Sequence, residues 1–201
     1  AAKSASESDA KAALNVLAID GKTLRRSHDR SKGLGPLHLV SVWASEYGLT
    51  LAQTATEEKS NEITAIPEVL KLVDVSKAIV TIDAMGAQRK IAKQIVEGGG
   101  DYLFTLKGNK DSMHKAVAEQ IERHLANDFE SVPVRRLVTE ETAHGRHETR
   151  MYIQLSVPKD LPGRDRWSNL RTIGVVIRKT VRGGEESTQL RYYISSLRLG
   201  V

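Results

Sequence analysis

Two short apolar runs constrain this chain more than any other feature. Residues 14–19 (LNVLAI) and 78–82 (AIVTI) are almost unbroken by polar side chains, and each is followed at once by an acid, Asp20 and Asp83. Runs of this length that are apolar throughout read as buried strands rather than one-faced helices. A carboxylate at the end of a buried strand is costly unless it is hydrogen-bonded, paired or bound to a cation. The chain must therefore build a sheet that delivers two acids to strand ends.

The segments around these runs fill in an order. Residues 37–43 and 49–55 are strand-like, with Glu46-Tyr47-Gly48 as the turn of a hairpin between them. A polar cluster at 57–62 begins a helix that carries Ile63, Ile66, Leu70 and Val73, with Pro67 expected in its first turn. After Asp83 comes a helix carrying Ile91 and Ile95, stopped by Gly98-Gly99-Gly100. A fifth strand at 102–106 and a helix at about 111–125 follow. Three strands and then alternating helix and strand predict a mixed α/β sheet with helices on its faces. Beyond residue 130 helical periodicity disappears. Strands are expected at 134–139, 150–157, 171–182 and 188–197, with Gly183-Gly184 turning the last hairpin. This is an antiparallel β insertion in the C-terminal third. Residues 1–13, rich in Ala, Ser, Lys, Glu and Asp, read as a flexible lead-in, 14–130 as the core and 131–201 as the β-rich part.

Composition removes several chemistries. There is no cysteine, so disulfides, thiolate zinc sites and a cysteine nucleophile are excluded. No apolar run is long enough to span a bilayer and no secretory signal opens the chain, which makes a cytoplasmic protein without a membrane partner the expectation. No phosphate-binding glycine loop, dinucleotide-binding glycine pattern or zinc-protease signature is present. The net charge of +5 is unevenly placed: from Arg135 to Arg198 there are thirteen basic residues, eleven of them arginine, against seven acids. Arginine forks match phosphate geometry, and a basic surface suits a nucleic-acid partner; an ordinary solvated basic face gives the same count.

If the strands before Asp20 and Asp83 are neighbours, both carboxylates project at one sheet edge. Two hard oxygen donors there suit Mg²⁺, which binds through one or two carboxylates plus water and phosphate oxygens. Two such ions can serve phosphoryl transfer. Taken singly, either acid also reads as a turn or N-cap residue. Glu62, at the start of the first helix, is a candidate third carboxylate or an acid favoured there by the helix dipole. His144, Arg146, Glu148 and Arg150 alternate and share one face if they lie on a strand. They form either a grip on a DNA backbone or an ion-pair ladder. Trp43 and Trp167 are expected to pack in the core or on the sheet.

Several segments, in order, resemble a known family. Ala18-Ile19-Asp20-Gly21-Lys22-Thr23-Leu24-Arg25 is similar to the first-aspartate segment of insertion-sequence DDE transposases of the H-repeat-associated family. Glu58-Lys59-Ser60-Asn61-Glu62-Ile63 resembles a second segment and Val80-Thr81-Ile82-Asp83-Ala84-Met85-Gly86 the second-aspartate segment. Asp101-Tyr102, Leu106-Lys107-Gly108-Asn109, His144 to Arg150, and Tyr192-Tyr193-Ile194-Ser195-Ser196-Leu197 continue the series. The resemblance implies an RNase H-like fold with a β insertion. It implies a two-metal site for Mg²⁺ or Mn²⁺ on Asp20 and Asp83, and cleavage and strand transfer of double-stranded DNA at transposon ends and target. Lys59, Asn61, Lys107, Asn109, His144, Arg146 and Arg150 are the residues expected to meet DNA, and a homo-oligomer is compatible with it. The family's third acid is a glutamate on a helix beyond the YYISSL-like strand. This chain ends at Val201, so the final catalytic helix is expected to be missing and transposition by this chain alone is not expected. The competing expectations are a truncated, non-catalytic DNA-binding remnant or regulator, and an RNase H-like nuclease using Asp20, Glu62 and Asp83.

Overall fold

The computed structural model describes residues 15–24, 27, 36–56, 62–108, 112–143 and 145–200. In chain order the elements are β1 (Asn15–Thr23), β2 (His38–Ala44), β3 (Leu49–Thr56), α1 (Glu62–Leu70), β4 (Ala78–Ile82), α2 (Arg89–Glu97), β5 (Asp101–Leu106), α3 (Ser112–Leu125), β6 (Val134–Ala143), β7 (Arg146–Ser156), β8 (Thr172–Arg182) and β9 (Glu185–Ser195). The expected lead-in at 1–13 lies outside the described residues. The nine strands form one sheet in the order β3-β2-β1-β4-β5-β9-β8-β7-β6. β1, β2 and β3 are antiparallel, β4 runs parallel to β1, and β5 runs parallel to β4. β9 joins antiparallel to β5, and β8, β7 and β6 continue outward as an antiparallel arm. The C-terminal strands therefore extend the first sheet instead of forming a separate one.

Residue parity explains where the core sits. Leu17 and Ile19 on β1, Val40 and Val42 on β2, and Val80 and Ile82 on β4 are buried. So are Phe104 on β5, Ile194 on β9, Ile173 on β8 and Leu155 on β7. The register makes these cross-strand neighbours, so they share one face. The described helices cover that face. α1 sends Ile66 against the Ile82 side, α2 buries Ile91, Ala92 and Ile95, and α3 buries Met113, Val117 and Ile121. The ring of His114 on α3 meets Tyr192 edge-on at 5.1 Å, and the Tyr192 hydroxyl donates to Glu122 at 3.1 Å. Helices are expected on both faces from the sequence; the described ones lie on one. The other face, here called the open face, carries half-buried or polar residues such as Ala18, Thr81, Leu103 and Thr105.

The Ser-Ser pair closing β9 is a latch between β9 and β5. Ser195 Oγ donates to the Tyr102 carbonyl at 2.7 Å, and Ser196 Oγ donates to Asp101 Oδ1 at 2.6 Å while accepting the Tyr102 N–H at 2.9 Å. Both serines are buried with these bonds made. The Gly183-Gly184 hairpin turn is as expected: both have positive φ, at 58° and 86°, which a two-residue turn of this hand demands at both central positions.

Three expectations need correction. Pro67 lies in the second turn of α1, not the first. With α1 running from Glu62, the carbonyl left without a partner by the proline belongs to Ile63, a residue that is 40% exposed. Trp43 is 43% exposed on the open face, whereas Trp167 is buried against Phe104 as expected. Glu185 and Glu186, which fall before the strand expected at 188–197, begin β9 because the two glycines alone close the hairpin.

Candidate active site

Asp20 does not end its strand. β1 continues to Thr23, held by β2, with Asp20 paired to Ser41 and Thr23 to His38. What ends near Asp20 is the pairing with β4, whose last register pair is Ile19 with Ile82. Asp83 is the next residue after Ile82, so the two aspartates stand side by side one step past that pair. Neighbouring strands are ~4.8 Å apart, which puts the two backbones within reach of a shared cation. The chain leaves β1 towards β2 on one side and β4 towards β5 on the other. The pair thus stands where the β1–β4 pairing ends and the two strands lead to opposite sides of the sheet, the kind of switch point at which open α/β sheets hold ligands.

Asp20 and Asp83 both line a cleft of about 1180 Å³ and both are exposed. Neither forms an ion pair among the described residues. Asp83 accepts the Met85 N–H through Oδ1 at 3.1 Å, an Asx turn that sets the chain leaving β4. Among the described residues, most of the carboxylate oxygens have no other partner and are available to a ligand. Among the described residues there is no group of three His, Cys, Asp or Glu close enough to hold a metal ion. The donor set present is two adjacent, exposed carboxylates, which fits a magnesium-like ion that keeps water and takes phosphate oxygens for its remaining positions.

Other walls of the cleft come from α1 (Ile63, Thr64, Pro67 and Glu68) and from the start of α2. Glu62 opens α1, and its side chain lies outside the described residues, as do Lys59, Asn61, Asn109 and His144. Lys107 lines the cleft and is exposed, one residue beyond β5. Arg146 and Arg150 lie away from the cleft, on β7. Arg150 is ion-paired with Glu148, which is only 2% exposed, and stands 4.0 Å from Glu141. Sequence reasoning missed Arg89 and Lys90, which line the cleft from the first turn of α2. The signal was there: two cations in a first turn without an acid run against the helix dipole. They add positive charge to the cleft that the two carboxylates line.

Gly86 sets the turn after Asp83 against α1. A Cβ there would lie 2.3 Å from Ile82 Cγ2 and 2.7 Å from Ile66 Cδ1. Its N–H donates to the Asp83 carbonyl at 3.2 Å. Gly86→Ala is expected to cost about 1–3 kcal/mol, the usual range for overpacking a filled core. Chemical denaturation of the two proteins measures it; an unchanged midpoint would mean that the turn does not pack as described.

A family model described as the transposase DDE domain matches residues 11–195. The chain belongs to the DDE transposase family. The candidate transposase YncI of Escherichia coli O157:H7 is 42% identical to this DDE domain over 185 residues, covering 90% of this chain and 47% of that protein. The H repeat-associated candidate transposase YhhI of Escherichia coli strain K12 is 40% identical over 187 residues, covering 90% and 49%. An uncharacterized protein in the dhlA 3′ region of Xanthobacter autotrophicus is 40% identical over 187 residues, covering 91% and 60%. The DDE domain chain thus spans about half the length of the first two relatives. A cryo-EM structure of a piggyBac transposase synaptic complex with hairpin DNA overlays 91% of this chain and 33% of that one, at 13% identity and a TM-score of 0.43. The resemblance read from the sequence is borne out at the level of the family.

Proposed function

We propose that this chain carries the metal-dependent DNA-cutting and strand-transfer centre of an insertion-sequence transposase, on an RNase H-like core. The single observation that carries the reading is the placement of Asp20 beside Asp83 at the switch point of the sheet. Three antiparallel strands followed by parallel β4 and β5 support the RNase H-like assignment. In this reading residues 14–130 are the catalytic core and 131–201 a β-rich basic insertion. A divalent ion held there, Mg²⁺ or Mn²⁺, would activate an attacking oxygen and stabilise a leaving one on DNA phosphate.

Each residue then has a distinct task. Asp20 and Asp83 hold the cation and place it in the cleft. Lys107, Arg89 and Lys90 neutralise the phosphates that enter. Glu62 opens the helix whose next residues wall the same cleft, and is a candidate third carboxylate. The substrate is double-stranded DNA.

Localised oxidative cleavage tests the site. Fe²⁺ takes the place of Mg²⁺, and ascorbate with peroxide then cuts the backbone near the ion. Fragment ends within a few residues of 20 and 83 are expected, and excess Mg²⁺ should suppress them. Fragments concentrated elsewhere, or insensitive to Mg²⁺, would remove the reading. Among metal-competent proteins, joined DNA products separate strand transfer from simple nuclease activity.

A further inference from the structure

The arm formed by β6–β9 projects two arginine pairs whose placement the cleft alone does not explain. In the β7–β8 register Arg150 stands directly opposite Arg178, and Arg146 directly opposite Arg182. Like charges facing each other across an antiparallel pair are destabilising. The inner pair has an internal counterion: Glu148, 2% exposed, is ion-paired with Arg150 and lies 3.8 Å from Arg178, whose guanidinium also donates to Gln189. The outer pair has none. Arg146 and Arg182 are exposed and make no ion pair among the described residues, although Glu185 is Arg182's hairpin partner in register. Arg191, exposed on β9 beside Val176 of β8, likewise makes no ion pair among the described residues.

Register also fixes which way these side chains point. Thr105 of β5 pairs with Tyr193, Tyr193 with Gly174, and Gly174 with Gln154. One step along the β4–β5 register places Asp83 beside Thr105. Counting by twos from Gly174 reaches Val176, the partner of Arg191, then Arg178 and Arg182, and from Gln154 it reaches Arg150 and Arg146. The arginines therefore stand on the same open face as Asp20. They begin with Arg191 on β9, two strand spacings or roughly 10 Å sideways from β4, and run from the level of Val176 to Arg182, ~20 Å along β8. Arg146 and Arg150, like Arg178 and Arg182, are four residues apart on their strands, ~13 Å, the axial rise of about four phosphates of one DNA strand at ~3.4 Å each.

We propose that the open face of this arm is a phosphate-tracking platform for duplex DNA leading away from the carboxylate pair, with Arg146, Arg182 and Arg191 gripping phosphates directly. Arg150 and Arg178, held by Glu148, keep the platform ordered and contribute less charge. This rests on the reading of the chain as a DNA-acting enzyme, and it adds the surface on which the DNA lies.

The test is salt-dependent binding of a labelled duplex of mixed sequence to the whole chain. Two triple variants are compared: Arg146→Gln with Arg182→Gln and Arg191→Gln on the arm, and Lys93→Gln with Lys115→Gln and Arg123→Gln on the helix layer opposite. Both remove three charges. The slope of log affinity against log salt is expected to fall by ~0.9 for each phosphate that is no longer neutralised, so by up to ~2.7 in the arm variant, with a small change in the helix variant. Equal falls in the two variants would overturn the platform in favour of diffuse charge. An unchanged slope in the arm variant would assign the face to another partner. Mn²⁺ affinity is measured in parallel: the arm variant should keep it. Failure of metal binding in the wild-type chain, with the arm effect intact, would sink the catalytic reading and leave the platform standing.

Discussion

Asparagine in place of Asp83, or of Asp20, is expected to weaken Mn²⁺ binding on the order of 100-fold or more, at about 1.4 kcal/mol per tenfold. Titration calorimetry reads it directly. Asparagine keeps the size and one oxygen of aspartate and loses the charge, and a site with two carboxylates loses half its formal charge with one substitution. The sign of a second measurement separates a ligand from a structural acid. Neither exposed carboxylate forms an ion pair among the described residues, so neither has a charge partner whose loss would destabilise the metal-free protein. Removing one should leave metal-free thermal stability unchanged or higher. A structural acid would show the reverse: stability lost, metal response unmoved. Asp165, exposed in the short turn at 164–166 and not part of the cleft lining, is the control, and Asp165→Asn should bind as the wild type does. Equal binding by wild type, D20N and D83N would end the case for a metal centre at these residues.

Phe104→Ala is expected to cost about 3–5 kcal/mol, the range for deleting a buried aromatic side chain. Phe104 is fully buried at the middle of β5, with its ring 4.7 Å from Tyr102 and edge-on to Trp167 at 6.4 Å. It sits between the three elements that define the cleft wall and the arm: β4 on one side, β9 on the other and Trp167 across the top. A domain of this size loses about 2–4 °C per kcal/mol, so a melting temperature lower by roughly 6–20 °C is expected. With total stability in the usual ~5–15 kcal/mol, the variant stands near the edge of folding. Leu137→Ala, at a residue 60% exposed on the arm, should stay within ~0.5 kcal/mol and serves as the contrast. A small loss at Phe104 would mean that β5 is not central to the core.

Local signals in the sequence are reliable where the element is held by its own residues. β4 is found at residues 78–82, as its apolar run requires, and the glycines at 98–100 stop α2. Elements whose ends depend on a partner are less legible. β7 begins at Arg146 rather than 150, because Gly145, at φ 69°, turns directly into a strand that β6 and β8 hold to its tip. The alternating charges make Arg150 a DNA-binding candidate on the same face as Arg146. The face is shared, but Arg150 is engaged by Glu148. Nothing in a run of alternating charges says which member will be buried, since that depends on the strands alongside.

The sequence by itself determined that two apolar strand-forming runs are each followed by an aspartate, that the C-terminal third is β-rich and basic, and that the family is that of the DDE transposases. The tertiary structure decided that β1 and β4 are neighbours in register, which brings Asp20 to Asp83. It also decided that the described helices share one face and that the arginines of the arm stand with the carboxylates on the other. The physical reason is that periodicity along a strand records which residues share a face. Which strand lies alongside, and in what register, is fixed by packing between segments far apart in the chain, and no local pattern encodes it.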